Sequence, residues 1–282
     1  MKNIKPFCDY DEQVAELRKK GCLISDDNIC KSKLINIGYY RLKAYTLTFK
    51  RKDGTYKDGF SFYRVSRLYD FDKELRALLS PIIETIEISW RARLVYFHAQ
   101  KYGPLGYLDE KSFGLNHNHI RFKAKIEELK EQYKTLLFVK HYNEQYNGVF
   151  PLWVIAELFT FGTTSYFYDD LLTSDKKAFA GVNYEKLSGW LRCCTDLRNI
   201  CAHHGRLYYR IFTSMPAGFN ISENEARRLW GAILAVRALY PDEEEWNSKF
   251  IPRLSQLFDD YCDAIDLYHM AFPVDWKDKL KK

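Results

Sequence analysis

The residues best suited to chemistry in this 282-residue chain fall on one predicted helix. Between Trp190 and Arg210, steps of four and three from Arg192 select Arg192, Asp196, Asn199, His203, Arg206 and Arg210. At ~100° per residue these positions share one helix face. Steps from Trp190 give Trp190, Cys194, Leu197, Cys201 and Tyr208, an apolar face that would pack. A solvated polar face is the ordinary reading of such a pattern. This one holds no Lys and concentrates Arg with His, the pair suited to phosphate: Arg offers a planar fork of donors and His titrates near neutrality.

Arg198 and His203 form an Arg-x4-His pair, and Asn199 stands one turn before His203, near enough to orient its ring. On an ideal helix Arg198 points about 140° away from His203. One site can use both only if Arg198 reaches around the helix or if the site lies between two packed helices. A second Arg-x4-His runs from Arg93 to His98, on a helical pattern where Glu84, Glu87, Arg91 and His98 share a face. That face reads equally as a buried salt-bridge network around a satisfied core histidine. If the two helices pack together, two histidines and two arginines reach one cleft.

The elements that must position these residues read as helix. Asp9 caps a first helix ending at Gly21, and a second follows Ser25 to about Gly38. Tyr39, Tyr40 and Arg41 open a weak helical stretch. Arg51-Lys52-Asp53-Gly54-Thr55 is a turn signal that allows at most a short β-hairpin near residues 48–62. A long pattern from about Val65 to Lys101 is interrupted at Pro81, which either kinks the helix or starts a new one. The pattern then predicts a charged helix over Ile120–Leu137, a buried one over Pro151–Phe161 stopped at Gly162, and the central one over Trp190–Tyr209. Ser222 and Glu225 form a capping box before a helix to Tyr240, and a last helix spans Ile251–Met270 before a frayed basic tail, Lys277–Lys282. The fold class expected is an all-α multi-helix bundle. One unit over 1–282 is expected, with a soft subdivision into 1–115 and 116–282.

Composition narrows the function. Hydrophobic residues at 46% and charged residues at 28% fit a globular chain with a sizeable core. Aromatics reach 16%, rings that fill cores and also stack on nucleobases. The net charge of +6 permits a polyanionic partner without requiring one. Seven cysteines without a CxxC, and a start (Met1–Pro6) unlike a secretory signal, lead us to expect free thiols in a reducing cytoplasm. No apolar stretch approaches a membrane span, so no membrane partner is expected.

Arg198-Asn199-Ile200-Cys201-Ala202-His203 resembles the R-N-x-x-x-H signature of HEPN domains, in a setting that resembles the AbiD/AbiF-type abortive-infection (Abi) family. Other landmarks agree in order: Ile37-Gly38-Tyr39-Tyr40-Arg41-Leu42 with Tyr45, Ile86-Glu87 with Arg91, and Trp153-Val154-Ile155-Ala156-Glu157 with Phe161-Gly162. The likeness covers roughly residues 5–215. It implies a HEPN-type helical fold in a bacterial anti-phage toxin, with metal-independent RNA cleavage and no cofactor. It implies host RNA as substrate, in some relatives a small noncoding RNA as regulator, and a composite site built from two motifs within one chain or across a homodimer. Arg198, Asn199 and His203 match the signature directly. Arg93 and His98 match it less well, because Leu94 stands where Asn would be.

The chemistry suits RNA, which carries its own nucleophile. A neutral histidine removes the 2′-hydroxyl proton, or a protonated one donates to the leaving 5′-oxygen. Arg198 stabilises the charge developing on the phosphorus oxygens. A second histidine, His98 or another copy's His203, supplies the complementary role. Arg192, Arg206 and Arg210 would hold flanking phosphates. Tyr39, Tyr40 and Arg41 would stack on bases or form a buried aromatic cluster. Rivals are a non-cleaving RNA-binding module and a purely structural helical protein. His117-x-His119 is too short to indicate a zinc site, and no closely spaced Cys pair exists. Cys201 and His203 point to different helix faces, and no phosphate-binding glycine loop is present.

Overall fold

The computed structural model describes Ile4 and residues 6–281; Met1, Lys2, Asn3 and Lys5 of the chain start and Lys282 of the tail lie outside the described residues. The chain opens with α1 (Tyr10–Lys19), α2 (Asp27–Ile37) and α3 (Tyr39–Lys43). Asp9 caps α1 in a capping box with Glu12, and Asp26 caps α2 by accepting from the amides of Asn28 and Ile29. The turn after Arg51 closes a single antiparallel bridge, Lys50 to Tyr56, and no sheet forms among the described residues. The fold is all-α.

α4 (Phe62–Tyr102) is the axis of the molecule. Its 41 residues extend about 61 Å. Pro81 lies inside it without ending it. Pro81 and Ala77, whose carbonyl loses its partner, are both exposed, so water can satisfy that group. α5 (His119–Gln132), α6 (Leu137–Gln145), α7 (Leu152–Ile155), α8 (Phe161–Asp170), α9 (Thr173–Ala180) and α10 (Tyr184–Ala202) follow. α11 (Glu223–Ala226), α12 (Leu229–Leu239), α13 (Glu243–Glu245), α14 (Ile251–Asp260) and α15 (Trp276–Leu280) complete the chain. Buried side chains from Val14 to Leu280 form one contiguous cluster. α10 packs on α4, α8 and α12, while α4 also meets α7 and α14.

Several boundaries differ from the sequence reading. The expected helix over 151–161 breaks into α7 and a 3-10 turn, and Gly162 falls inside α8, because Thr160 caps a new helix there through the Thr163 amide. The charged helix ends at Gln132 and α6 begins afresh at Leu137. The Ser222–Glu225 capping box opens only the single turn of α11. The last long helix stops at Asp260. The tail is docked through Leu280: Trp276 and Leu280 are buried, and the Leu280 carbonyl accepts from the Trp246 indole and from Arg237.

Candidate active site

α10 begins at Tyr184, earlier than expected, and ends at Ala202, seven residues short of Tyr209. The stop is a Schellman motif: the Gly205 amide donates to the Ile200 carbonyl (2.7 Å) and the His204 amide to the Cys201 carbonyl (3.1 Å). The left-handed residue it requires is His204, at φ 54°. Histidine there costs roughly 1 kcal/mol or more over glycine. His203 is therefore the C-cap of α10, and His203, Arg206 and Arg210 lie on the following loop instead of continuing the helix face.

The motif sits on a ridge between two clefts. Arg198 lines one of about 430 Å³ between α4 and α10, together with Glu84, Glu87 and Arg91. Its guanidinium lies 3.6 Å from the Glu87 carboxylate and 3.4 Å from the Asn199 side-chain oxygen. Arg91, in the same cleft, pairs with Glu157 and donates to the Phe159 carbonyl. Asn199 borders the second cleft, of about 790 Å³ between α8, α10 and the 213–215 segment, which also holds Arg192 and Asp196. His203 is exposed at the end of the ridge, and its side chain makes no hydrogen bond to the described residues. Thus Arg198, Asn199 and His203 lie within the last turn and C-cap of α10, with Arg198 in the groove between two packed helices.

The loop carrying His203 is bolted to the N-terminal half. Asp72, fully buried on α4, accepts from the Leu207 and Tyr208 amides at 2.8 Å each and from the Tyr45 hydroxyl at 2.9 Å. Arg76, one turn on, donates to the Gly205 carbonyl (3.0 Å) and stands 3.9 Å from Asp72. Burial lifts the Asp72 carboxyl to about 6, against the pull of those hydrogen bonds and of Arg76. Arg41 donates to the His204 carbonyl (2.7 Å) and Arg206 to that of Ala44. From the C-terminal region, the Tyr208 hydroxyl meets His269 Nδ1 at 2.6 Å and accepts from the Asp266 amide.

Those contacts redistribute the basic residues. Burial lowers the pKa of Arg206, which spends a donor on the Ala44 carbonyl; Arg210 donates to the Arg206 carbonyl. Arg192 lies 3.6 Å from Asp169 and over the Tyr166 ring. In α3, Tyr39 is half-buried against the core, whereas Tyr40 is 89% exposed beside Arg41. Asp72 and Arg76 are positioning groups that the sequence reading misses, whereas Glu87, read there as part of a charged face with Arg91, instead faces Arg198. Their signal was a charged i,i+4 pair, Asp72 and Arg76, intruding on the apolar face of Leu68, Leu75 and Leu79.

Arg93 and His98 do not join this site. Arg93 is exposed and stacks on Trp90. His98 is fully buried among Tyr102, Phe113 and Phe167, with neither ring nitrogen hydrogen-bonded. Of the two composite arrangements left open, pairing with His98 within one chain is not formed: helix geometry turns His98 into an aromatic cage, where no salt bridge from the described residues reaches it. Burial lowers its pKa to about 4. Between pH 6.5 and 4 the unfolded chain therefore binds a proton that the folded one refuses, and stability falls as pH drops through that window. A His98→Phe variant should escape this loss. Its stability advantage over wild type, from urea unfolding at each pH, should widen by about 3 kcal/mol between pH 7 and pH 4. A constant difference would place the proton elsewhere.

All seven cysteines are free, and burial pushes Cys193 and Cys201 up to about 12 and Cys194 well above its ordinary value, which makes these thiols inert. His117 is occupied by Asp170 (2.9 Å) and His119 (3.2 Å), and no group of three potential ligands for a metal ion forms among the described residues. No helix among the described residues is long and apolar enough to cross a membrane.

An all-α protein with an Arg-Asn-x3-His element at a helix end, braced by a long axial helix, is the class that fold and site define. Residues 32–209 match the Abi-like protein family, and the chain belongs to it. The matched span holds α3, α4, α10 and the His203 loop as far as Tyr209, but not Arg210, Asp266 or His269. No curated protein and no solved structure matches the chain. At the level of the family, its function is one of abortive infection.

Proposed function

We propose that this protein is a metal-independent endoribonuclease of an anti-phage defence system, with Arg198, Asn199 and His203 as the catalytic group. The observation that carries this reading is the placement of those three residues in the last turn and exposed C-cap of α10, with the His203 loop braced from α4 by Asp72 and Arg76. RNA supplies the nucleophile. His203 takes the proton of the 2′-hydroxyl or returns one to the departing 5′-oxygen. Arg198 neutralises charge on the pentacoordinate phosphorus, with Glu87 fixing its direction. Asn199 joins Arg198 to the ridge. Tyr40, exposed beside the loop, offers a ring to a flanking base.

His98 is sealed, so the complementary acid or base comes from the His203 of a second copy across a homodimer. The test is total RNA incubated with purified protein in excess EDTA, with fragment ends characterised. Cleavage leaving 2′,3′-cyclic phosphate and 5′-hydroxyl ends is the expected result. Intact RNA with retained, salt-dependent RNA binding would favour the binding module instead.

A further inference from the structure

The cleft on the Asn199 side is built unlike a phosphate channel. Two carboxylates line it, Asp169 and Asp196, and a phosphate entering would be repelled by both. Arg192, the one arginine lining it, lies 3.6 Å from Asp169. Its guanidinium also lies 5.9 Å from the centroid of Tyr166, a ring 63% exposed. Asp196 is held by Ser214 and Thr213, both bonding its Oδ2, which leaves Oδ1 without a hydrogen bond to the described residues. The volume, about 790 Å³, is that of a small-molecule site.

A neutral ring that donates on one edge and accepts on the next fits this wall. Guanine offers N1–H and the 2-amino group as donors, and O6 and N7 as adjacent acceptors. Cytosine and adenine each offer one exocyclic amine, and uracil one ring N–H. A carboxylate is the natural acceptor for the first edge and an arginine fork the natural donor for the second. Tyr166 supplies a stacking face. Asp196 and Arg192 precede Asn199 by about 4.5 and 10.5 Å along the α10 axis. That is the reach of a nucleotide next to one engaged at the motif.

We infer that this cleft is a guanine-binding subsite, with Asp196 reading the Watson–Crick donors, Arg192 the O6/N7 edge and Tyr166 stacking on the ring. The inference deepens the RNA reading above and rests on it for its biological meaning. It also reassigns Arg192 from a phosphate to a base.

Binding of the four 5′-mononucleotides to the full chain, followed by saturation-transfer NMR and calorimetry, tests it without requiring cleavage. All four probes carry the same phosphate, so differences report the base. GMP should bind about tenfold more tightly than AMP, CMP or UMP. Asp196→Asn and Arg192→Gln should each bring that ratio close to one. Arg192 is more than half exposed, so its variant keeps the fold even if loss of the Asp196 contacts loosens the 213–215 segment. Equal binding of the four nucleotides, no binding of any, or a GMP preference untouched by both variants overturns the subsite. RNA cleavage in EDTA with no base preference would overturn it while sparing the nuclease reading. GMP selectivity with intact RNA would do the reverse.

Discussion

Replacing His203 with alanine should reduce RNA cleavage by ~10²–10⁴-fold, the usual contribution of a positioned acid or base. RNA affinity should stay within about twofold, and thermal stability should not change. The second half follows from its position. The side chain is exposed at the C-cap of α10 and makes no hydrogen bond to the described residues, so its removal leaves no cavity and no orphaned donor. Single-turnover cleavage and filter binding on the same preparations check both halves. Wild-type cleavage by His203→Ala would sink the proposed mechanism. Parallel loss of cleavage and binding would make His203 a binding residue.

The largest effect on stability is expected at Asp72. Its carboxylate satisfies two backbone amides and a tyrosine hydroxyl and faces Arg76, all out of water. Asp72→Ala strands those donors and leaves a buried guanidinium without its counter-charge. Removing one partner from such an arrangement costs about 3–5 kcal/mol. Urea unfolding should show that loss. Asp72→Asn should fall between, since its amide keeps one acceptor but turns a donor toward groups that are themselves donors. A loss below about 1 kcal/mol in Asp72→Ala would mean that the loop is held by other contacts. Activity should fall beyond what the unfolded fraction explains, because Asp72 fixes the chain only a few residues from His203.

Much of this architecture was readable from residue types. Asp9 and the apolar periodicity of α4 marked elements that formed where expected, since capping and burial act locally; the Ser222 capping box formed too, but it opens only the single turn of α11. The Arg198–His203 element was visible as spacing. The end of its helix was not, because the residue that turns left-handed is His204, while the glycine that usually marks such a stop stands one position later. That single displacement moved His203, Arg206 and Arg210 off the helix face assigned to them. His98 shows the opposite limit. A polar residue on a shared face looks functional in sequence, and only packing reveals that Tyr102, Phe113 and Phe167 enclose it. Asp72 and Arg76 needed the fold as well, since their partners lie more than a hundred residues away.

The fastening of the His203 loop also sets an order of events during synthesis. Its brackets come from Arg41, Ala44, Asp72 and Arg76, made before it, and from Asp266 and His269, made after it. Contacts that distant in sequence close late, after local helices have formed. A nascent chain emerging N-terminus first displays Arg198 and His203 before the segment that clamps Tyr208 has left the ribosome. The brace on Tyr208 is therefore completed only once residues 266–269 have been made and have folded back onto the loop.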